Sequence, residues 1–265
     1  MNKNLLIIPH YNNPTGLINS ISSIGENEKL DVIIIDDGSI IHKINEGDIL
    51  DNKVFEGDII FKYCKVNRGI EFVLNEALDY GLNREYVYFS RLDCGDICHN
   101  NRFEIQELFF EQNQDIYLLG SNVDAINENG KFLYSIKVPS IDKDIRKGML
   151  LNCMFIHPSV MFRSEVVKQL GKYPTNYKAA EDFAFFTNIL KQYKGANINK
   201  SLVTIELNTK GISATNRKKQ AKSRINILKK NYKFGITSSY GLIRSYALYY
   251  APYSLIQNLK KNIYK

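Results

Sequence analysis

The 265 residues contain no tryptophan and only four cysteines. Cys64, Cys94, Cys98 and Cys153 are too few for a disulfide framework in a chain of this size, so reduced thiols are expected. Cys94, Cys98 and His99, with Cys153 and His157 further on, match no common zinc-ligand spacing. No apolar run is long enough to cross a bilayer. The opening MNKNLLIIPHYNN closes its short apolar stretch at Pro9 and His10 and lacks a signal-peptide cleavage pattern. A cytoplasmic protein is therefore expected. Also missing are the GxGxxG turn of dinucleotide-binding folds and a Walker lysine loop. Acid is what the C-terminal part lacks. From Lys191 onward 16 Lys and Arg face a single acid, Glu206, a net of +15, whereas residues 1–190 carry 19 basic and 27 acidic side chains, a net of −8. Charge segregated in this way implies an anionic neighbour for the tail: membrane headgroups, nucleic acid or a phosphorylated substrate.

What is present is a 44% hydrophobic chain, enough for one large domain with an appendage. Leu5-Leu6-Ile7-Ile8 and Val32-Ile33-Ile34-Ile35 are short continuous apolar runs, the pattern of strands buried on both faces. Between them Leu17, Ile18, Ile21 and Ile24 recur at helical spacing. Strand, helix, strand with short links predicts a βαβ unit and a mostly parallel sheet. Further strands are expected at Ile59–Tyr63, Tyr86–Phe89, Asp115–Ser121 and Leu202–Leu207. Helices are expected around Phe72–Tyr80 (closed by Gly81 at C′), over Asn101–Gln112 with Phe103, Leu108 and Phe109 inward, over Ile141–Leu151 and Ser164–Leu170, and from Glu181 through Leu190. Asn127–Gly130 reads as a hairpin turn into Phe132-Leu133-Tyr134. In the tail, Ala221, Ile225, Leu228 and Tyr232 form one apolar stripe opposite Lys218, Lys222, Lys229 and Lys230. Leu242, Tyr246, Tyr249 and Tyr253 form another, Pro252 bends it, and Lys260-Lys261 follow.

The chemistry-bearing residues cluster at the predicted strand ends. SRLDCGD places Asp93 and Asp96 just where a buried strand should stop, with Gly95 between them to let the backbone turn. In open α/β sheets ligands sit beyond the carboxyl ends of the strands. Hard oxygen ligands there suit a divalent cation shared with a substrate's phosphates. Asp36-Asp37-Gly38-Ser39 ends the second strand, where a carboxylate can accept from a base N–H or a ribose hydroxyl. Glu181-Asp182 opens a helix, which complements the helix dipole and leaves Asp182 able to act as a general base. His157 lies between apolar residues, as a packed histidine or an acceptor contact. Arg68 and Arg91 each adjoin an acidic turn and could pair with a phosphate or with a neighbouring Asp.

Six motifs in order resemble the family 2 glycosyltransferases of the GT-A fold. IIPHYNN is similar to the opening strand and its Tyr-Asn turn, DDGS to the nucleotide-binding acid motif, and NRG (67–69) to the Asn-x-Gly turn. RLDCGD is similar to the Arg-x-Asp-x-Asp-Asp metal motif, HPSVMFR to the segment before the acceptor site, and EDF to the motif supplying the base. One departure is that Asp93-Cys94-Gly95-Asp96 lacks the middle carboxylate, so Asp96 is expected to take over its coordination. The resemblance implies a GT-A domain over 1–210 with a basic helical extension over 211–265. It also implies an inverting transfer from a UDP-sugar to a saccharide or lipid-linked saccharide, in bacterial surface-polysaccharide synthesis. Pro9, Tyr11, Asp37, Arg68, Arg91 and Asp93 would hold the donor, and Asp93 and Asp96 would hold Mn²⁺ or Mg²⁺. Asp182 with Glu181 would form the catalytic pair, and His157 would face the acceptor. The tail fits an anionic membrane surface at the inner face of the plasma membrane. Two rivals remain: a nucleic-acid-binding protein, which leaves the acidic turns without a purpose, and a sugar-nucleotide pyrophosphorylase, which would want a Gly-rich basic loop where this chain has PHYNN.

Overall fold

The computed structural model describes residues 2–99, 101–207 and 216–251. The chain runs β1 (Asn4–His10), α1 (Pro14–Ser22), β2 (Asp31–Asp36), α2 (Glu46–Asp51), β3 (Ile59–Tyr63), α3 (Ile70–Leu82), β4 (Tyr88–Arg91), β5 (Ile97–Cys98) and α4 (Arg102–Gln112). It continues with β6 (Ile116–Ile126), β7 (Phe132–Ile136), α5 (Asp142–Met149), a 3-10 turn (His157–Ser159), β8 (Met161–Arg163), α6 (Ser164–Leu170), α7 (Glu181–Gln192) and β9 (Lys194–Glu206). Two helices close the described chain, α8 (Arg217–Lys230) and α9 (Ile236–Tyr250).

One sheet carries the fold, in the order β3-β2-β1-β4-β8-β6-β9-β5 with β7 added to β6. The β3-β2-β1-β4 half is parallel, β8 runs antiparallel to both β4 and β6, and β6 pairs parallel with β9. The continuous apolar runs of β1 and β2 are explained by burial on both faces. Leu5, Ile7, Ile33 and Ile35 point into one core, while Leu6, Ile8, Val32 and Ile34 point into the other, the period-2 alternation of a covered strand. Because β2 and β4 lie on opposite sides of β1, the chain reverses direction across the sheet there. The carboxyl ends of these three parallel strands share one edge of the sheet, the place where such sheets take their ligands.

Several sequence expectations need correction. The strand predicted at Tyr86 begins at Tyr88, and Val87 is exposed. The predicted strands at Asp115–Ser121 and Leu202–Leu207 are parts of the longer β6 and β9, which hydrogen-bond to each other along most of their length. On α4, Leu108 faces solvent and Phe110 faces the core. Phe103, Gln106 and Phe110 share a face at i, i+3, i+7, and Leu108 is on the far side. Gly81 does not terminate α3 but lies inside it, where an added Cβ would stand 2.2 Å from the Phe89 ring; it is the point where helix and sheet press together. In the tail, Ile225 and Leu228 are buried as the first stripe predicts, but Tyr232 is exposed. Ile227 and Leu228 join the same core as Phe183, Phe186 and Ile189 of α7, so α8 is packed on the sheet domain. On α9, Leu242, Tyr246 and Tyr249 are half-buried. Pro252, Tyr253, Lys260 and Lys261 lie outside the described residues.

Candidate active site

Three acidic turns on different elements carry the candidate residues. β2 ends in Asp36 and Asp37. Asp36 is buried in a hydrogen-bonded knot, with His10 Nδ1 at 2.7 Å and the Ser39 N–H donating at 2.7 Å. Burial alone would raise its pKa, yet the bonds from Ser39 and His10 outweigh burial and hold it below the usual carboxylate value. Asp37 turns the other way, and its two oxygens accept from the backbone N–H groups of Arg68 (2.8 Å) and Gly69 (3.0 Å). The DDGS and NRG segments are thus one structure. Each Asp37 oxygen keeps a second lone pair for a nucleoside donor. Tyr11, just past β1, is half-exposed beside this turn's strand, and Arg68 is exposed with its guanidinium over the Phe72 ring at 5.2 Å. Pro9 sits one residue before the end of β1, opposite Ile35.

β4 delivers the second turn. Arg91 has no exposed surface. Its Nη1 donates to the carbonyls of Ile7 (3.0 Å) and Leu92 (2.9 Å), and its Nη2 donates to Asp93. Arg91, expected to hold the donor, is here buried at the strand end and paired with Asp93, the neighbouring-Asp pairing that the sequence left open. Gly95, at φ +106, turns the backbone as anticipated. The loop is clamped from α1 by Ser20, a residue nothing in the sequence singled out. Its hydroxyl accepts from the Gly95 N–H (2.9 Å) and donates to the Asp96 carbonyl (2.8 Å). The Cys94 thiol donates to the Asn13 carbonyl at 3.2 Å, and burial pushes its pKa up to about 12, so it is an inert packing group.

Asp93 is 43% exposed, whereas Asp96 is buried and accepts from the Glu206 N–H at 3.1 Å. Burial, then the nearby Asp93 charge, raise the Asp96 pKa well above the carboxylate range. Two hard-oxygen carboxylates that repel each other in a half-buried turn are a donor set that a divalent cation relieves, so these residues fit one. Among the described residues no group of three or more His, Cys, Asp or Glu is arranged so that it could hold a metal ion. The protein's share of a coordination sphere would be small, with a substrate's phosphate oxygens and water completing it.

The third turn opens α7. Asp182 is half-buried, and its Oδ1 accepts from the Phe183 N–H at 2.7 Å. Burial raises its pKa; the Phe183 bond opposes this, the Asp93 charge adds to it, and Arg224 of α8 opposes it. The second and third turns therefore share one electrostatic neighbourhood although 89 positions separate Asp93 from Asp182 in sequence. Glu181 is buried with Oε2 unpartnered, and burial followed by the Asp182 charge lifts its pKa to about 7. His157 bonds the Tyr173 hydroxyl through Nε2 at 3.0 Å and packs edge-on to Phe186. Burial, and then the Arg91 charge, hold its pKa well below the ordinary histidine value, so it is neutral at pH 7. Tyr173, the buried partner in this bond, was not flagged by the sequence.

Residues 5–171 match the family described as Glycosyl transferase family 2. An uncharacterized glycosyltransferase of Rickettsia bellii is 26% identical over 259 residues, 94% of this chain but 34% of that protein. One of Haemophilus influenzae is 27% identical over 215 residues, 80% of this chain and 78% of its own length. The O-antigen biosynthesis glycosyltransferase WbnJ of Escherichia coli is 28% identical over 141 residues, 52% of this chain and 54% of that protein. Among solved structures, S. aureus TarS 1-349 in complex with UDP-GlcNAc aligns with a TM-score of 0.65 at 15% identity, covering 94% of this chain and 72% of that one. The mannosyltransferase PcManGT of Pyrobaculum calidifontis, with GDP-Man and Mn²⁺, aligns with a TM-score of 0.63 at 13% identity, covering 94% and 70%. At these identities the structures establish the GT-A fold.

Proposed function

Because the chain belongs to glycosyl transferase family 2, we propose that it transfers a sugar from a UDP-linked donor to a hydroxyl of a saccharide or lipid-linked saccharide, with inversion at the anomeric carbon. The observation that supports this reading is that the Asp93 charge acts on Asp182, while the Asp37 turn ends a strand on the same edge of the sheet as Asp93. The nucleotide-sugar donor is supported by the UDP-GlcNAc and GDP-Man bound to the two fold neighbours, and the polysaccharide setting by the O-antigen role of WbnJ.

Asp37 accepts from the nucleoside, Tyr11 lies against it, and Arg68 offers its exposed guanidinium to the donor. Asp93, aimed by Arg91, and Asp96 would hold Mn²⁺ or Mg²⁺, which when bound would neutralise charge on the leaving diphosphate. Asp182 takes the proton from the acceptor hydroxyl. That oxygen attacks the anomeric carbon from the face opposite the diphosphate, whose C–O bond breaks. One displacement needs one base and no enzyme nucleophile. Glu181, buried beside it and holding its proton up to about pH 7, stands at the helix start that presents Asp182. His157 and Tyr173 wall the acceptor side.

The C-terminal helices fit a peripheral membrane role on the cytoplasmic face. Ile236, Tyr240, Ile243 and Tyr250 lie at i, i+4, i+7 and i+14 of α9 and are all exposed, next to a Phe234 that is 98% exposed. Lys218, Lys222, Lys229 and Lys230 are exposed on α8. An apolar stripe flanked by lysines suits anionic headgroups. Among the described residues no helix is long and apolar enough to cross a membrane.

The test is product analysis with UDP-sugars and Mn²⁺. Release of UDP that stops in excess EDTA is expected. Pyrophosphate as the product, or undiminished turnover in EDTA, would remove the reading.

A further inference from the structure

Two guanidinium groups from the C-terminal helices converge on one neutral oxygen. Arg224 of α8 donates Nη2 to the Leu151 carbonyl at 3.3 Å, and Arg244 of α9 donates Nη1 to the same carbonyl at 3.2 Å. Both side chains are half-buried, and among the described residues neither is in an ion pair. Each guanidinium has five N–H donors, so most of the hydrogen-bonding capacity at this spot is unspent. Two cations drawn together in a partly desolvated place repel unless an anion joins them.

The arrangement is held by the backbone on both sides. Gly241 packs α9 against the preceding carbonyl so closely that an added Cβ would stand 2.0 Å from Leu150 O. α8 is pinned by the Ser223 hydroxyl donating to the Lys178 carbonyl at 2.9 Å, and by Ile227 and Leu228 in the core. The Arg224 guanidinium lies 5.8 Å from the ring centroid of Phe183, the residue after Asp182. Burial first, and Arg244 with it, lower the Arg224 pKa, while Cys153 and Asp182 oppose this.

We propose that Arg224 and Arg244 form an oxyanion subsite beside Asp182 that takes a phosphate group carried by the acceptor. The proposal rests on the transferase reading above and goes beyond it by giving the acceptor a charged handle. Planar guanidinium forks match phosphate oxygens in pairs, better than ammonium groups would. The acceptor's phosphate is favoured over the donor's for two reasons. The donor diphosphate belongs with Asp93 and Asp96 at the end of β4, whereas Arg224 borders Asp182, the group that meets the acceptor hydroxyl. α9, which bears Arg244, also carries the exposed apolar stripe, so a lipid-phosphate-linked saccharide arriving along α9 would bring its phosphate to this pair.

The test uses octyl phosphate as probe, titrated calorimetrically into the full chain saturated with UDP and Mn²⁺. Wild type should bind it. The Arg224→Met, Arg244→Met double variant should bind roughly ten- to hundredfold more weakly while its UDP affinity stays within about twofold. Equal octyl phosphate affinity in variant and wild type, or no binding to wild type, overturns the subsite. Binding that appears without UDP and vanishes when UDP is added also overturns it, because the arginines would then serve the leaving nucleotide. Should the double variant fail to fold, the single Arg224→Lys and Arg244→Lys variants keep the charge and lose the fork. Several-fold weakening supports the subsite, and unchanged affinity overturns it. Wild type that binds octyl phosphate through these arginines but no UDP would instead count against the transferase reading.

Discussion

Asp37 ties two distant turns together: its carboxylate accepts from the consecutive N–H groups of Arg68 and Gly69, at 2.8 and 3.0 Å. The residue that would hold the nucleoside thus also builds the loop bearing Arg68. Asp37→Ala should lower unfolding free energy by about 1–3 kcal/mol, the cost of leaving backbone donors unpaired, and weaken UDP binding as well. Urea unfolding and calorimetry read the two effects. Loss of UDP affinity with unchanged stability would mean that the turn stands without Asp37.

Asp182→Asn keeps the size and the Phe183 N–H contact but removes the proton acceptor. Transfer should fall by about 10²–10⁴, the usual worth of a positioned base, with UDP affinity unchanged. Near-normal turnover would require a different base.

Glu181 makes stability depend on pH in a stated direction. Its carboxyl is raised from 4.5 to about 7, by burial first and then by the Asp182 charge. Between those values the folded chain keeps a proton that the unfolded chain has released. Stability therefore falls as pH rises from about 4.5 to about 7, by up to about 3 kcal/mol from this group. Asp96 and Asp182, also raised, and Glu107, raised to about 7, add in the same direction. Glu181→Gln should reduce the slope of urea midpoint against pH without abolishing it. A slope identical to wild type would place the shift elsewhere.

The exposed face of α9 predicts membrane association. The 265-residue chain should float with anionic liposomes, and an Ile236→Ser, Ile243→Ser variant should float much less while keeping its fold, because both side chains are in solvent. Equal flotation would show that the lysines alone, or nothing at all, hold it to the surface.

Much of the fold could be read from the chain itself. The runs of β1 and β2, the exact span of β3 and α6, and the acidic turns at strand ends follow from apolar period, turn residues and capping, which act over a few neighbours. Where packing chose between faces, local pattern did not suffice: on α4 the core took Phe110 and left Leu108 outside. Arg91 shows the same limit at the site. Its position beside Asp93 is in the sequence, but its burial comes from the β1 carbonyl at Ile7, 84 positions away.

The sequence alone determined which residue types stand at the ends of the strands, because a buried strand must stop at a polar turn. Only the tertiary structure decided which of those turns meet. Ser20 clamping the Asp96 loop, and Arg224 and Arg244 meeting at Leu151 across 73 and 93 positions, depend on how helices dock against the sheet. Docking is set by the summed burial of two cores, a quantity that no short stretch of chain contains.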